Sequence, residues 1–144
     1  MKIFKGPEEV YAHCDIPCGI YSAHPSAMAA ETVERMVVLL HELTRPDMSA
    51  ASKEDILAYE NAKARYIAVK EAHAEVCKRE VLILWSDHFK PEHLLLFPDL
   101  HDRVWETVKL CSKNKQQADL ELARELRAKV ARIGAMFDES KTKR

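Results

Sequence analysis

The sequence predicts an all-α fold, a four-helix bundle preceded by an N-terminal metal-binding hook. Three observations carry that expectation. Turn-forming residues are scarce, with 3 Gly and 6 Pro in 144 residues, too few for a many-stranded β fold. Four long segments place apolar residues at three- and four-residue steps, the period of a helix with one buried stripe. Apolar residues make up 47% of the chain, enough for one packed core at this length. Four such helices joined by short loops form a bundle most simply.

Pro25 and Ser26 open the first helix, and Ala29, Val33, Met36, Val37, Leu40 and Leu43 form its stripe. The Arg45-Pro46-Asp47 run ends it, because proline disfavours helix at the residue before it. Ser52 with Asp55 resembles a capping box and begins the longest helix. Its stripe reads Ile56, Tyr59, Ala62, Tyr66, Val69, His73, Val76, Glu80 and Ile83, and helix is expected to about Trp85, with a break at Phe89-Lys90-Pro91. Pro98 stands at the start of the third helix, whose inner face is Leu100, Val104, Val108 and Cys111. Residues 112–116 read as a polar connection. The fourth helix buries Leu122, Leu126, Val130, Ile133 and Phe137, and the polar tail 139–144 is expected to fray. Trp105 and the run Leu94-Leu95-Leu96 exceed what a small bundle needs inside. They point equally to subunit contacts and to a loop folded over the core.

The formal net charge is −1, which gives no electrostatic case for nucleic acid or an anionic membrane as partner. No apolar run approaches the length of a membrane span. The first residues, MKIFKGPEEVYA, lack the apolar stretch of a secretory signal, since Lys5, Glu8 and Glu9 interrupt it. A cytoplasmic protein is therefore expected. Cys77 and Cys111 stand alone within helical segments and read as small buried hydrophobes.

The chemistry concentrates in His13-Cys14-Asp15-Ile16-Pro17-Cys18-Gly19-Ile20-Tyr21. The reading divides the chain into a leader (1–12) removed on maturation, a hook (13–21) and a helical domain (22–144). With the leader attached, the segment offers one imidazole and two thiols, a weak set for structural zinc. Cleavage after Ala12 adds an α-amine at His13 and brings in the Cys14 amide nitrogen. Amine, imidazole, amide nitrogen and two thiolates suit a soft metal with a square-planar preference, Ni(II) or Cu(II). Gly19 permits a backbone geometry that a side chain would block. The bland alternative for Cys14 and Cys18 is a labile disulfide or thiol pair, although three residues separate them rather than the two of the thioredoxin motif.

The run HCDIPCGIY resembles the nickel hook of nickel-containing superoxide dismutases. The resemblance extends to Trp85-Ser86-Asp87-His88-Phe89-Lys90-Pro91 and to Phe97-Pro98-Asp99-Leu100-His101. It implies a four-helix-bundle subunit of a homohexamer, a leader-removing peptidase, and an antioxidant oxidoreductase. That enzyme would disproportionate superoxide to dioxygen and hydrogen peroxide by Ni(III)/Ni(II) cycling. It further implies His13, Cys14 and Cys18 as nickel ligands, with Pro17 on the family's cis-proline position. Tyr21 would line the substrate funnel, Asp15 would order the hook amides, and Lys90 would attract the anion. The chain departs from the family pattern where a glutamate and an arginine stand behind the axial imidazole: Ala29 and His73 occupy those positions, and His73 is the candidate substitute. His88 stands where a second tyrosine is common. His24, His41, His93 and His101 read as surface or capping residues. Two other functions compete: a nickel or copper storage or delivery protein without dismutase activity, and a thiol-redox or structural bundle that keeps its leader.

Overall fold

The structure, a computed structural model, describes residues 19–142; residues 1–18 and 143–144 lie outside the described residues. It is helical throughout with no strand among those residues. The elements are α1 (His24–Glu42), α2 (Lys53–Ile83), a wide π turn (Leu84–His88), a 3-10 turn (Pro91–Leu95), α3 (Leu100–Gln116) and α4 (Leu120–Thr142). Each α-helix packs on its neighbour in sequence, and α1 closes the ring against α4. The expected four-helix bundle is present. No described helix is long and apolar enough to cross a membrane.

The helix starts follow local chemistry. Pro25 occupies the first turn of α1, where its missing N–H costs nothing. The Ser52 hydroxyl accepts the Asp55 N–H at 3.1 Å and donates to the Asp55 carboxylate at 2.7 Å, which realises the expected cap. Pro91 holds Lys90 extended (φ −123°, ψ 163°) and so separates the π turn from the 3-10 turn. Two starts and ends differ from expectation. Helix α3 begins at Leu100, with Pro98 in the preceding turn, and α1 stops at Glu42, with Leu43 already extended.

Larger differences occur at two C-terminal ends. Residues 112–116, expected as a connection, are the last turn of α3, and the link to α4 is residues 117–119. A buried polar knot holds that turn. Asn114 is fully buried and its amide donates to the carbonyls of Leu110 (3.0 Å) and Leu122 (3.1 Å). The Lys70 ammonium, only 2% exposed, donates to the carbonyls of Asn114, Lys115 (2.9 Å) and Gln117 (3.0 Å). Those are orphan acceptors at a helix C-terminus, where a cation is also favoured by the macrodipole. Likewise α4 runs to Thr142 rather than fraying from residue 139, because Ser140 turns inward and is buried.

The stripe of α2 is also displaced. Its buried residues are Lys70, Ala74, Cys77 and Val81, one position beyond the expected Val69, His73, Val76 and Glu80, which are half-buried. Residues 53–69 contain no buried side chain. They run past the end of α3, marked by Lys70, and this stretch of about 25 Å lacks the second partner that buries the remainder. Leu94 and Phe97 pack on the core, whereas Leu95 and Trp105 are 88% and 61% exposed. The leucine run is therefore split between the two readings. Cys77 and Cys111 are free and fully buried, as expected. The hydrogen bond from Cys111, together with burial, pushes the Cys77 thiol up and keeps it from ionising.

Burial pushes the Lys70 ammonium below the usual lysine range, with Glu71 opposing. Lys70→Met is expected to leave the carbonyl cluster without its donor and cost about 3 kcal/mol. For a chain of this size that lowers Tm by roughly 10 °C. A melt within about 2 °C of the parent would mean that water satisfies those carbonyls equally well.

Candidate metal centre

The chain leaves the hook through Gly19, whose φ is +92°. A Cβ there would meet nothing within 4 Å, so the demand for glycine is purely one of backbone conformation. Ile20 is exposed at 79%, and Tyr21 turns in and packs on the core. This tight turn seats the segment that follows Cys18 against the bundle.

Tyr21 meets a cluster of rings drawn from three other parts of the chain. Its ring stands edge-on to His88 at 6.5 Å and 73°. His88 lies 4.4 Å from Phe137 of α4, edge-on to Phe89 at 5.3 Å, and nearly parallel to His93 at 5.8 Å and 18°. The His88 Nε2 lies 2.8 Å from the Ser140 hydroxyl, which in turn donates to the Phe137 carbonyl at 2.6 Å. His93 accepts the Lys90 N–H at Nδ1 (3.1 Å) while its own N–H donates to the Lys90 carbonyl at 2.9 Å. That exchange closes the 3-10 turn and leaves the Lys90 side chain exposed.

The two sequence blocks noted above are physically joined. The Trp85 Nε1–H donates to His101 Nδ1 at 2.8 Å, and Phe89 stands edge-on to Phe97 at 6.5 Å. The block that ends α2 and the block that begins α3 therefore form one foundation beneath Tyr21.

Of the sequence-derived candidates, the structure brings together Tyr21 and His88, with Lys90 on the same loop. Ala29 is buried in the core. His73 is half-buried on α2 and donates its Nδ1–H to the Val69 carbonyl at 2.9 Å. His13, Cys14, Asp15, Pro17 and Cys18 lie outside the described residues. Among the described residues no three His, Cys, Asp or Glu side chains are grouped to hold a metal ion, so the candidate ligands are those of the hook. Their chemistry fits nickel: two thiolates and nitrogen donors in a chain that turns back immediately at Gly19. Sequence reading missed two members of the cluster. Ser140 lay in the tail assigned to fraying, although it continues the stripe of Ile133 and Phe137 by one further helical step. His93 was assigned only to the surface or to capping. It does cap the 3-10 turn, and it also stacks on His88.

Known proteins share the sequence pattern and the fold. The family model for nickel-containing superoxide dismutase matches residues 8–141. The curated "Superoxide dismutase [Ni]" of Streptomyces seoulensis is 31% identical over 140 residues, covering 97% of this chain and 96% of its own; that of Streptomyces coelicolor gives the same values. A native nickel superoxide dismutase structure superposes with a TM-score of 0.75 at 31% identity, covering 90% of this chain and 99% of that one. A structure with nickel ligation corresponding to the oxidized state gives 0.70 at 33% identity over the same shares. With the family model matched over residues 8–141 and a relative 31% identical across 97% of its length, the chain belongs to the nickel-containing superoxide dismutase family.

Proposed function

We propose that His13, Cys14 and Cys18 hold the nickel ion with which this chain disproportionates superoxide, and that removal of residues 1–12 completes the set by freeing the His13 amine. The observation that carries this is HCDIPCGIY itself, a donor set placed directly before a glycine turn that seats on the bundle. Its support is the family match from residue 8 onward.

Nickel supplies the electron exchange between Ni(II) and Ni(III), through which two superoxide ions and two protons become dioxygen and hydrogen peroxide. The chain's own residues do the rest. Lys90, exposed beside the ring cluster, offers a positive charge that draws the anion inward. Tyr21 walls the approach and holds a phenolic proton close to the hook. Asp15 orders the hook backbone, as aspartate does in tight turns. Pro17 stands at the position of the family's cis-proline by the resemblance. His73, whose Nδ1 is committed to Val69, keeps Nε2 as its acceptor nitrogen and tunes the His13 imidazole. The subunits assemble as a homohexamer in the cytoplasm. Apolar groups left outside the bundle, such as Leu57 and Trp105, supply contact surface for that assembly.

Protein beginning at His13 and loaded with nickel is expected to dismutate superoxide and to scatter light as a hexamer. The chain that keeps residues 1–12 should be inactive, and Cys14→Ser or Cys18→Ser should release nickel and lose all activity above background. Nickel bound tightly by the trimmed chain without dismutation would make it a metal carrier instead.

Gly19→Ala is expected to strain the turn by about 1 kcal/mol, weakening nickel retention roughly fivefold while Tm stays unchanged. Equal retention would show that the turn is not what seats the hook.

His73→Ala should shift the nickel potential and turnover with nickel still bound. Unchanged values for both would make His73 only a core-edge histidine.

A further inference from the structure

We propose that Trp85 and His101 form a one-electron redox site at the surface of the bundle, built from residues outside the hook. Its substrates are a small oxidising radical on one side and a soluble one-electron reductant of the ascorbate class on the other. This goes beyond the dismutase reading and does not rest on it.

The site lies where the end of α2 meets the start of α3. Trp85 belongs to the π turn and His101 to the first turn of α3. The indole Nε1–H donates to His101 Nδ1 at 2.8 Å, and the two rings stand edge-on at 5.6 Å and 85°. An indole nitrogen has a hydrogen to give and no lone pair to accept with. The Nδ1 that it meets therefore carries no hydrogen, so His101 is neutral with its own N–H on Nε2. A base thus sits on the one proton that an oxidised indole releases. The Phe89–Phe97 contact holds the same junction. Trp85 is 37% exposed and His101 is exposed, so oxidant, reductant and water reach the pair without any movement of the fold.

The oxidising radical takes one electron from the Trp85 indole and becomes its anion. The Nε1 proton passes along the hydrogen bond to His101 Nδ1, which leaves a neutral indolyl radical beside an imidazolium. The reductant then returns one electron to the indolyl ring as Nδ1 returns the proton. In sum the reductant has reduced one radical and the protein is unchanged. The proton moves along a short bond that is already formed, and geometry is the first requirement for such a transfer. Trp105 is the internal contrast. It stands one turn beyond His101 on α3 and is the more exposed of the two indoles, yet the group beside it is the Lys109 ammonium, 5.6 Å from the ring centroid. A cation over the ring favours the electron-rich neutral indole and opposes loss of an electron, and an ammonium cannot accept a proton.

Pulse radiolysis of the full-length chain without nickel, with azide radical as oxidant and ascorbate as reductant, tests this. The indole radical cation and the neutral indolyl radical are told apart by their absorption. In the parent the neutral radical should appear promptly, with no cation phase, and ascorbate should remove it at a rate proportional to its concentration. His101→Gln keeps an acceptor for the indole N–H but no base, and should slow conversion of the cation to the neutral radical at least about tenfold. Trp85→Phe should abolish the prompt neutral radical and Trp105→Phe should keep it. Prompt neutral radical surviving in Trp85→Phe or in His101→Gln would overturn the site. A radical that ascorbate leaves untouched would overturn its role toward a soluble reductant. If Trp85→Phe does not fold, His101→Gln decides alone, because His101 is a surface residue.

Discussion

The packing of Tyr21 on His88 is the contact on which the functional end of the molecule depends. A hook of a few residues cannot bury enough surface to hold its own shape, so its geometry must be imposed from outside. The described structure supplies that constraint at a single place. Gly19 reverses the chain at φ +92°, Tyr21 enters the core edge, and the ring cluster behind it draws on the N-terminal segment, the turn after α2, the 3-10 turn and α4. Removing any one of these elements loosens the same wall.

The bundle beneath is rigid at both ends of the α2–α3 pair, for different reasons. At one end the Lys70 ammonium gathers the carbonyls of the last turn of α3. At the other the Trp85–His101 hydrogen bond and the Phe89–Phe97 contact join the exit of α2 to the start of α3. Between them the core is apolar and tightly filled, with Val33, Val81, Leu126, Ile133, Met136 and Phe137 almost fully buried. The ion pairs linking α1 to α4, Glu31 and Glu34 with Arg124 and Arg127, are largely exposed on the arginine side. Such pairs contribute little individually. Packing and buried hydrogen bonds therefore set the orientation of the wall, and the exposed ion pairs add little to it.

The fold class was legible because apolar period and helix-start chemistry are local properties: Pro25, Ser52 with Asp55, and the four stripes needed no tertiary information. The ends of α3 and α4 were not legible. Asn114 and Ser140 are polar in sequence, and only a partner's carbonyl or imidazole makes their burial favourable. The one-residue displacement of the α2 stripe has a similar origin. Periodicity gives the existence of a buried face, but which flank is deeper depends on where α3 ends. At the site, Gly19 was readable from its place after Cys18, and Tyr21 and Lys90 from the resemblance. Ser140 was hidden in a tail whose composition signals fraying, although it keeps the phase of Phe137. His13, Cys14 and Cys18 stand as the proposed ligands on their spacing and donor chemistry alone, since they lie outside the described residues.

The distribution of sulfur completes the physical account. An enzyme that releases peroxide must keep its thiols from oxidation, and thiolates are the vulnerable form. This chain has four cysteines, of which Cys77 and Cys111 lie among the described residues. Cys77 and Cys111 are fully buried and hydrogen-bonded to one another, and the Cys77 thiol is pushed up so that it stays protonated. Their protection is burial and the thiol form. Cys14 and Cys18 must ionise to bind metal, so burial of that kind is closed to them. As the proposed nickel ligands they would instead commit their electron density to the metal, and metal loading would then protect the hook as well as support turnover. The cost of an incompletely seated hook is therefore chemical as well as structural, and this is a reason for the chain to invest a buried serine, two histidines and three aromatic rings in holding the first residue that follows the turn.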